Sequence, residues 1–269
     1  MKTDELKKYF DKSNQKVLNC LENMEVKSLV KTLHELRVEI KKIRFVGHLI
    51  KHFNVKSDTE KMFKPYEKVF KVAGKIRSLQ MHEKLIKQFE LSDDLGDFIK
   101  ENHRGEKKLL KKFYKIITSD TDVLAAYKLL IDAEIEKIAH LDLESYANHL
   151  IKFLFDNMTT QTNHKDVHEH RKKVKELIFM AGLSKKLHGY ISARINLRSA
   201  DKLQEKIGDW HDKHEFYITL VTKSNDIKNS ELKKYRKAVK EIVKVSNKNL
   251  NEIKLLVSDF HQSIKLTKK

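Results

Sequence analysis

Hydrophobic residues recur along residues 29–43 at steps of four and three, the spacing that brings side chains to one face of a helix. This hydrophobic series is Leu29, Leu33, Leu36, Ile40 and Ile43. A second series of nitrogen-bearing side chains follows it one position later, and we call it the first basic line: His34, Arg37, Lys41 and Arg44. A solvated face normally lies opposite the buried stripe. The pattern therefore predicts a helix that carries cations at the edge of a helix–helix contact.

The same periodicity extends over most of the chain and predicts an all-α protein. Seven glycines and one proline among 269 residues are too few for a turn-rich β architecture. Long runs of Lys, Glu, Leu and Ile favour helix. The predicted helices cover about 4–23, 27–53, 60–89, 94–118, 121–140, 142–158, 165–182, 186–222 and 227–266.

The sequence repeats itself at a constant offset, which carries His34 onto His168 and Gly74 onto Gly208. The second basic line is His168, Arg171 and Lys175, and Val167, Val174 and Leu177 accompany it as the hydrophobic series accompanies the first. Farther on, "AGKIRS" (73–78) aligns with "IGDWHD" (207–212) at the same offset. We therefore predict two copies of one helical unit, about 1–140 and 141–269. No Gly- or Ser-rich linker separates them, so we expect a single domain.

Four segments in this order, "HELRVEIKKIRF", "VFKVAGKIRSLQMH", "HEHRKKVKELIF" and "KLQEKIGDWHD", resemble the CHAD family, the conserved histidine α-helical domain. The resemblance covers nearly the whole chain. It implies two helical bundles related by an internal pseudo-two-fold axis, with a basic central surface that binds inorganic polyphosphate. It also implies association with polyphosphate granules and no catalytic activity.

Two positions depart from an exact repeat. Ile178 stands where the first copy has Arg44, and Ser78 stands where the second copy has Asp212 and where the family motif favours Asp. We therefore expect the two copies to contribute unequally to binding, with the first contributing more.

The charge of the chain points independently to an anionic partner. Lys and Arg total 56 against 38 acidic residues, a formal charge of +18. Only eight residues are Arg, and six of them lie in or beside the repeated segments; guanidinium matches phosphate oxygens two at a time, which ammonium cannot do. The predicted polyphosphate-binding residues are His34, Arg37, Lys41, Arg44, Arg77, His168, Arg171, Lys175, Arg194, Arg198, Lys202 and His211.

Other interpretations of these residues remain open. The basic lines could be solvated faces, and each His could bridge helices through a hydrogen bond. An RNA or DNA backbone is the second candidate ligand, although the basic lines contain no aromatic residue for base stacking. His211-Asp212 and the His164, His168, His170 group leave a metal-dependent phosphohydrolase as a weaker alternative. Gly74 and Gly208, inside helical patterns, indicate a close helix crossing or a phosphate at bare backbone.

The remaining features are those of a cytoplasmic binding protein. The single cysteine, Cys20, lies among hydrophobic residues and is expected to be a buried thiol, with no disulfide framework. The first ten residues lack an apolar signal core, and no apolar run is long enough to span a membrane. We expect no enzymatic activity, no cofactor and no metal site; the sequence does not identify protein partners.

Overall fold

The computed structural model of this chain describes residues 3–24, 29–138, 141–158, 164–225 and 229–265. Within these ranges the chain is helical and contains no strand, so the all-α prediction is confirmed. The helices are α1 (Thr3–Glu22), α2 (Leu29–Phe53), α3 (Thr59–Gln88), α4 (Gly96–Glu136), α5 (Leu143–Asn157), α6 (His164–Ala181), α7 (Lys185–Ser192), α8 (Leu197–Ser224) and α9 (Asn229–Ser263). The predicted helix ends at residues 27, 140, 227 and 266 lie outside the described ranges.

The chain forms two compact units. Unit 1 comprises Met1–Glu83 and Phe98–Asp142, and unit 2 comprises Lys84–Asp97 and Leu143–Lys269. Each unit contains one basic line, on α2 in unit 1 and on α6 in unit 2. The pseudo-two-fold relation of the two copies stays a prediction, and its boundary residue 140 lies outside the described part of the chain.

Helix α2 buries all but the first member of the predicted hydrophobic series in the core of unit 1, where α2 packs against α1; Leu29 is half-buried. Leu33, Leu36, Ile40 and Ile43 have no exposed surface. Each such side chain contributes about 1.5–3 kcal/mol through removal of its surface from water. The core also contains Tyr66, whose hydroxyl donates to Oδ1 of Asn14 at 2.7 Å. The burial of this series fixes which face of α2 carries the first basic line.

Helix α6 is the centre of unit 2, in contact with α5, α7 and α8, while α8 also packs against α9. Val167, Val174 and Leu177 are buried, as the repeat predicts. The basic residues of α6 therefore lie at the margin of its contact with α8.

Two predicted helix boundaries were wrong. Helix α4 runs unbroken through the predicted stop near residue 118, where the Thr118 hydroxyl donates to the carbonyls of Tyr114 (3.0 Å) and Lys115 (3.2 Å). This back-bonding lets a threonine remain inside a helix. The predicted helix 186–222 is instead two helices, because Asn196 caps α8 by accepting from the backbone N–H of Ser199 at 3.0 Å.

Other expectations concern the thiol and the membrane. Cys20 is buried, as predicted. Among the helices that the structure describes, none combines the length and apolar character needed to cross a bilayer.

Candidate anion-binding sites

Helix α2 seats the guanidinium of Arg37 on α3. Nη1 of Arg37 donates to the backbone carbonyl of Phe70 at 2.8 Å, and Cζ lies 4.1 Å from the centre of the Phe70 ring. Gly74 lies one helical turn farther along α3. A Cβ at this position would be 3.2 Å from Cζ of Arg37 and closer still to its Nη1. The missing side chain of Gly74 therefore makes room for the guanidinium.

The same contact recurs in unit 2 between α6 and α8. Nε of Arg171 donates to the backbone carbonyl of Gln204 at 3.0 Å, and a Cβ at Gly208 would lie 2.5 Å from its Nη2. Gln204 and Gly208 correspond to Phe70 and Gly74 at the offset of the sequence repeat. The sequence suggested a close helix crossing or a phosphate at these glycines, whereas in the structure an arginine side chain lies nearest to each of them.

Two half-buried cations of unit 2, Arg171 and Lys175, hydrogen-bond only to neutral oxygens among the described residues. Nζ of Lys175 donates to Oε1 of Gln204 at 3.2 Å and lies 5.6 Å from the Phe179 ring centre. Burial lowers the pKa of Lys175, and the charge of Arg171 lowers it further; burial likewise lowers the pKa of Arg171, against the opposing effect of Asp212. Neither cation has a carboxylate within 4.0 Å among the described residues. A bound anion would offset both the free-energy cost of burying these charges and the repulsion between the two cations.

Unit 1 differs because Arg44, which has no cationic counterpart in unit 2, already forms an ion pair with a carboxylate. Nε of Arg44 lies 2.9 Å from Oε1 of Glu67, and its Cζ lies 5.0 Å from the Phe70 ring centre. A carboxylate in contact reduces the field that Arg44 offers to a second anion. The expectation that Arg44 makes the first copy the stronger contributor therefore loses its main support. His34 is exposed and Lys41 is half-buried on the same helix.

Arg77 lies three positions before a hydrogen-bonded glutamine. Its Nη1 is 3.4 Å from Oε1 of Gln80, whose Nε2 donates to Oε1 of Glu106 at 2.8 Å. The Arg77 side chain is half-buried. The contact with Gln80 is long and its acceptor is neutral, so this contact does not neutralise the charge of Arg77.

His168 and His211 form a ring pair across α6 and α8. Their centroids are 4.9 Å apart and their planes meet at 42°. Both rings are half-buried, and the pKa of His168 is lowered, first by burial and then by His211. The second basic line and the repeated α8 segment thus come together in unit 2.

The three predicted residues at the α7–α8 corner are in different environments. Nη1 of Arg194 donates to the backbone carbonyl of Tyr190 at 2.8 Å, and Cζ stacks 3.6 Å from the Tyr190 ring centre. The Arg194 carbonyl accepts from the backbone N–H of Lys265 at 2.8 Å. These contacts give Arg194 a structural role at the end of α7. Arg198 and Lys202 are exposed, one turn apart, and Lys202 lines an open cleft of about 510 Å³ between α8 and α9.

Sequence reasoning missed the residues that receive the cations. The residues that contact the predicted cations carry no positive charge, so a search for basic residues does not find them. They are Phe70, Gln204, Glu67 and Tyr190. The sequence repeat relates Phe70 to Gln204 and could have identified that pair. The basic lines contain no aromatic residue, as their sequence shows, but they contact aromatic rings of neighbouring residues.

The structure offers no group of three or more metal-binding side chains among the residues whose side chains it describes. His168 and His170 belong to that part of the chain, whereas the side chain of His164 lies outside it.

The fold and these contacts define an all-helical protein with half-buried cationic clusters. No family model matches the sequence, and no curated protein matches it. Among solved structures, it is similar to the crystal structure of the CHAD domain from the plant Ricinus communis, with a TM-score of 0.67 and 10% sequence identity. The match covers 98% of this chain and 94% of that chain. The chain has a CHAD-like fold, as the sequence motifs predicted.

Proposed function

We propose that this protein binds inorganic polyphosphate without chemically changing it, using the basic lines together with Arg77, Arg198, Lys202 and His211. The observation that carries the proposal is the pair of half-buried cations Arg171 and Lys175, which hydrogen-bond only to neutral oxygens among the described residues. A chain of phosphates supplies the missing negative charge and accepts bidentate hydrogen bonds from guanidinium. The resemblance to the CHAD family implies the same ligand, and the CHAD-like fold supports it.

Polyphosphate fits these clusters better than a single-stranded nucleic acid. Sequence-tolerant binders of single strands use exposed aromatic faces on which bases stack. Here the faces of Phe70 and Tyr190 carry the protein's own guanidinium groups, from Arg37 and Arg194. Polyphosphate has no bases and needs only its oxygens satisfied. A competition titration of long polyphosphate against RNA at fixed salt tests this preference: we expect polyphosphate to displace RNA, and the reverse result favours a nucleic-acid backbone ligand.

A matched pair of double variants separates a site from diffuse charge. Arg198→Gln with Lys202→Gln removes two exposed cations, one helical turn apart, beside the candidate site. Arg236→Gln with Lys240→Gln removes the same residue types at the same spacing from the exposed face of α9. All four side chains are exposed, so neither double variant should change the stability of the fold. The affinity for polyphosphate should fall several-fold more with the first pair than with the second. Equal losses would show that net charge alone governs binding.

A charge-conserving pair tests the arginine geometry. Arg37→Lys with Arg171→Lys keeps the charge but removes two forks that match phosphate. We expect at least a several-fold loss of affinity, whereas Arg104→Lys with Arg236→Lys, at exposed positions outside the site, should leave affinity unchanged. If the control pair weakens binding as much, guanidinium geometry plays no part.

The absence of catalysis is also a proposal with a direct assay. Purified protein with Mg²⁺, Mn²⁺ or Zn²⁺ should leave the length of polyphosphate unchanged. Steady phosphate release that disappears in His211→Ala would instead establish a hydrolase. Association with polyphosphate granules in the cytoplasm follows from the same resemblance, and a fluorescent fusion that stays away from the granules would contradict it.

A further inference from the structure

The ring pair of His168 and His211 places two titratable groups at the second basic line. Their centroids are 4.9 Å apart, so simultaneous protonation puts two positive charges side by side. Nδ1 of His168 is buried and has no hydrogen-bond partner among the described residues. His168 therefore holds a ring nitrogen without a described partner, and the charge of this ring depends on pH.

The surroundings of His168 on its own helix and on α8 disfavour its charged form. Burial is the first cause of its lowered pKa, followed by His211 on α8 and Lys172 on α6. Glu169 on α6 opposes these effects, and Arg171 adds to them. In the absence of a ligand, His168 is therefore mainly uncharged at neutral pH.

Several titratable groups on the other helices that pack against α6 and α8 have described partners other than the ring pair. Tyr146 of α5 donates to Oε1 of Glu176 at 2.5 Å, about two turns beyond the ring pair. Lys186 of α7 pairs with Glu144 of α5 at 2.8 Å, and Glu252 of α9 pairs with Lys206 of α8. These contacts do not involve the ring pair. On α8 itself, Asp212 follows His211 and raises the pKa of Arg171.

The first copy has a different residue at the equivalent place. The sequence repeat pairs His211 with Arg77 and His168 with His34. Arg77 is charged at every pH at which the protein is folded, since arginine does not deprotonate in proteins. The two copies thus carry the same helical motif with a fixed cation in one and a titratable pair in the other.

We propose that the His168–His211 pair takes up a proton when a polyanion binds at the second basic line. Binding in unit 2 therefore strengthens as the pH falls, while Arg77 gives unit 1 a charge that does not depend on pH. This inference rests on the proposed function. The sign follows from linkage. A bound anion stabilises the protonated imidazolium form, so protonation of the pair must in turn increase the affinity for the anion. The effect falls around the ordinary histidine pKa of about 6.5.

Isothermal titration calorimetry of the full chain with long polyphosphate tests the proposal. At a pH of about 6.5, binding enthalpies in buffers of different ionisation enthalpy give the number of protons taken up. We expect an uptake of about one proton per bound site and an affinity that rises at least several-fold from a pH of about 7.5 to about 5.5. His168→Gln with His211→Gln should remove most of both effects, whereas His188→Gln, at an exposed position on α7, should leave them unchanged.

A second variant protects the test against misfolding. His211→Arg installs the residue of the first copy, so affinity at a pH of about 8 should rise and its pH dependence should become shallower. Binding with no proton uptake, or uptake that survives loss of both rings, would overturn the inference while leaving the proposed function in place. Absence of binding at every pH would overturn the proposed function, and the inference with it.

Discussion

Gly208 is the position at which the candidate site and the stability of unit 2 can be perturbed together. A Cβ there would lie 2.5 Å from Nη2 of Arg171, so Gly208→Ala forces the guanidinium away from its place on α8. The hydrogen bond from Arg171 to the Gln204 carbonyl has a charged donor, and such bonds contribute about 1.5–3 kcal/mol. Alanine gains about 1 kcal/mol over glycine inside a helix. If the shift of the guanidinium breaks this hydrogen bond completely, the net result is a fall of about 0.5–2 kcal/mol in the free energy of unfolding.

The chain supplies a matched control at Gly189 in α7. A Cβ at Gly189 meets nothing within 4 Å, so Gly189→Ala should raise the free energy of unfolding by up to about 1 kcal/mol. In an Arg171→Ala background the guanidinium is gone, and Gly208→Ala should become stabilising by a similar amount. The coupling between the Arg171 and Gly208 substitutions should therefore be about 1.5–3 kcal/mol.

Trp210, the single tryptophan, lies on α8 two positions beyond Gly208, so its fluorescence during urea unfolding reports on unit 2. The same variants should be titrated with polyphosphate, since displacement of Arg171 should also weaken binding. If Gly208→Ala stabilises the otherwise unchanged protein as much as Gly189→Ala does, the guanidinium contact contributes nothing and the reasoning fails.

Three further predictions use the same contacts. Glu67→Gln removes the partner of Arg44 and should tighten polyphosphate binding, whereas Glu241→Gln, at an exposed position, should change it less; a weaker complex would contradict the idea that Glu67 competes with the ligand. Burial lowers the pKa of His170, so its stabilising contribution is complete above a pH of about 6.5 and is lost below it. His170→Leu, the residue at the equivalent position 36, should therefore flatten the fall of Tm on acidification, and an unchanged fall would refute this. Binding through about six phosphates should give a log–log salt slope of roughly −4, and a slope near zero would exclude an electrostatic site.

Local patterns of the sequence were sufficient to predict the fold class but not every helix end. The hydrophobic series of α2 and α6 predict burial correctly because helical period and burial are directly related. The predicted stop near residue 118 failed because the polar residue Thr118 lies inside α4, where its hydroxyl bonds to carbonyls of the preceding turn instead of capping a helix end. The break before α8 was missed because one capping side chain, Asn196, creates it, and a long periodic pattern outweighs a single polar residue.

The sequence predicted which cations share a helix face but not which residues contact them, and their role in binding stays a prediction. Spacing places Arg171 and Lys175 on one face of α6, but only the packing of α8 shows that Gln204 receives both. Spacing likewise ranks Arg44 as an additional cation, whereas Glu67, on the next helix, pairs with it. Contacts between helices depend on the register of two elements, which the period of either one does not fix.

The contact between Arg171 and α8 explains why this chain uses arginine at two matching positions when lysine dominates elsewhere. Guanidinium has five N–H donors in a rigid plane, and Arg171 uses Nε to hold the carbonyl of Gln204. Its Nη1 and Nη2 make no hydrogen bond to another described residue. An anchored fork loses less rotamer freedom when a phosphate arrives than a mobile lysine does. Arg171 therefore uses one edge of its guanidinium for the structural contact beside Gly208 and keeps the other edge for the proposed contact with the anion. The structural contact holds the guanidinium in position before the anion binds.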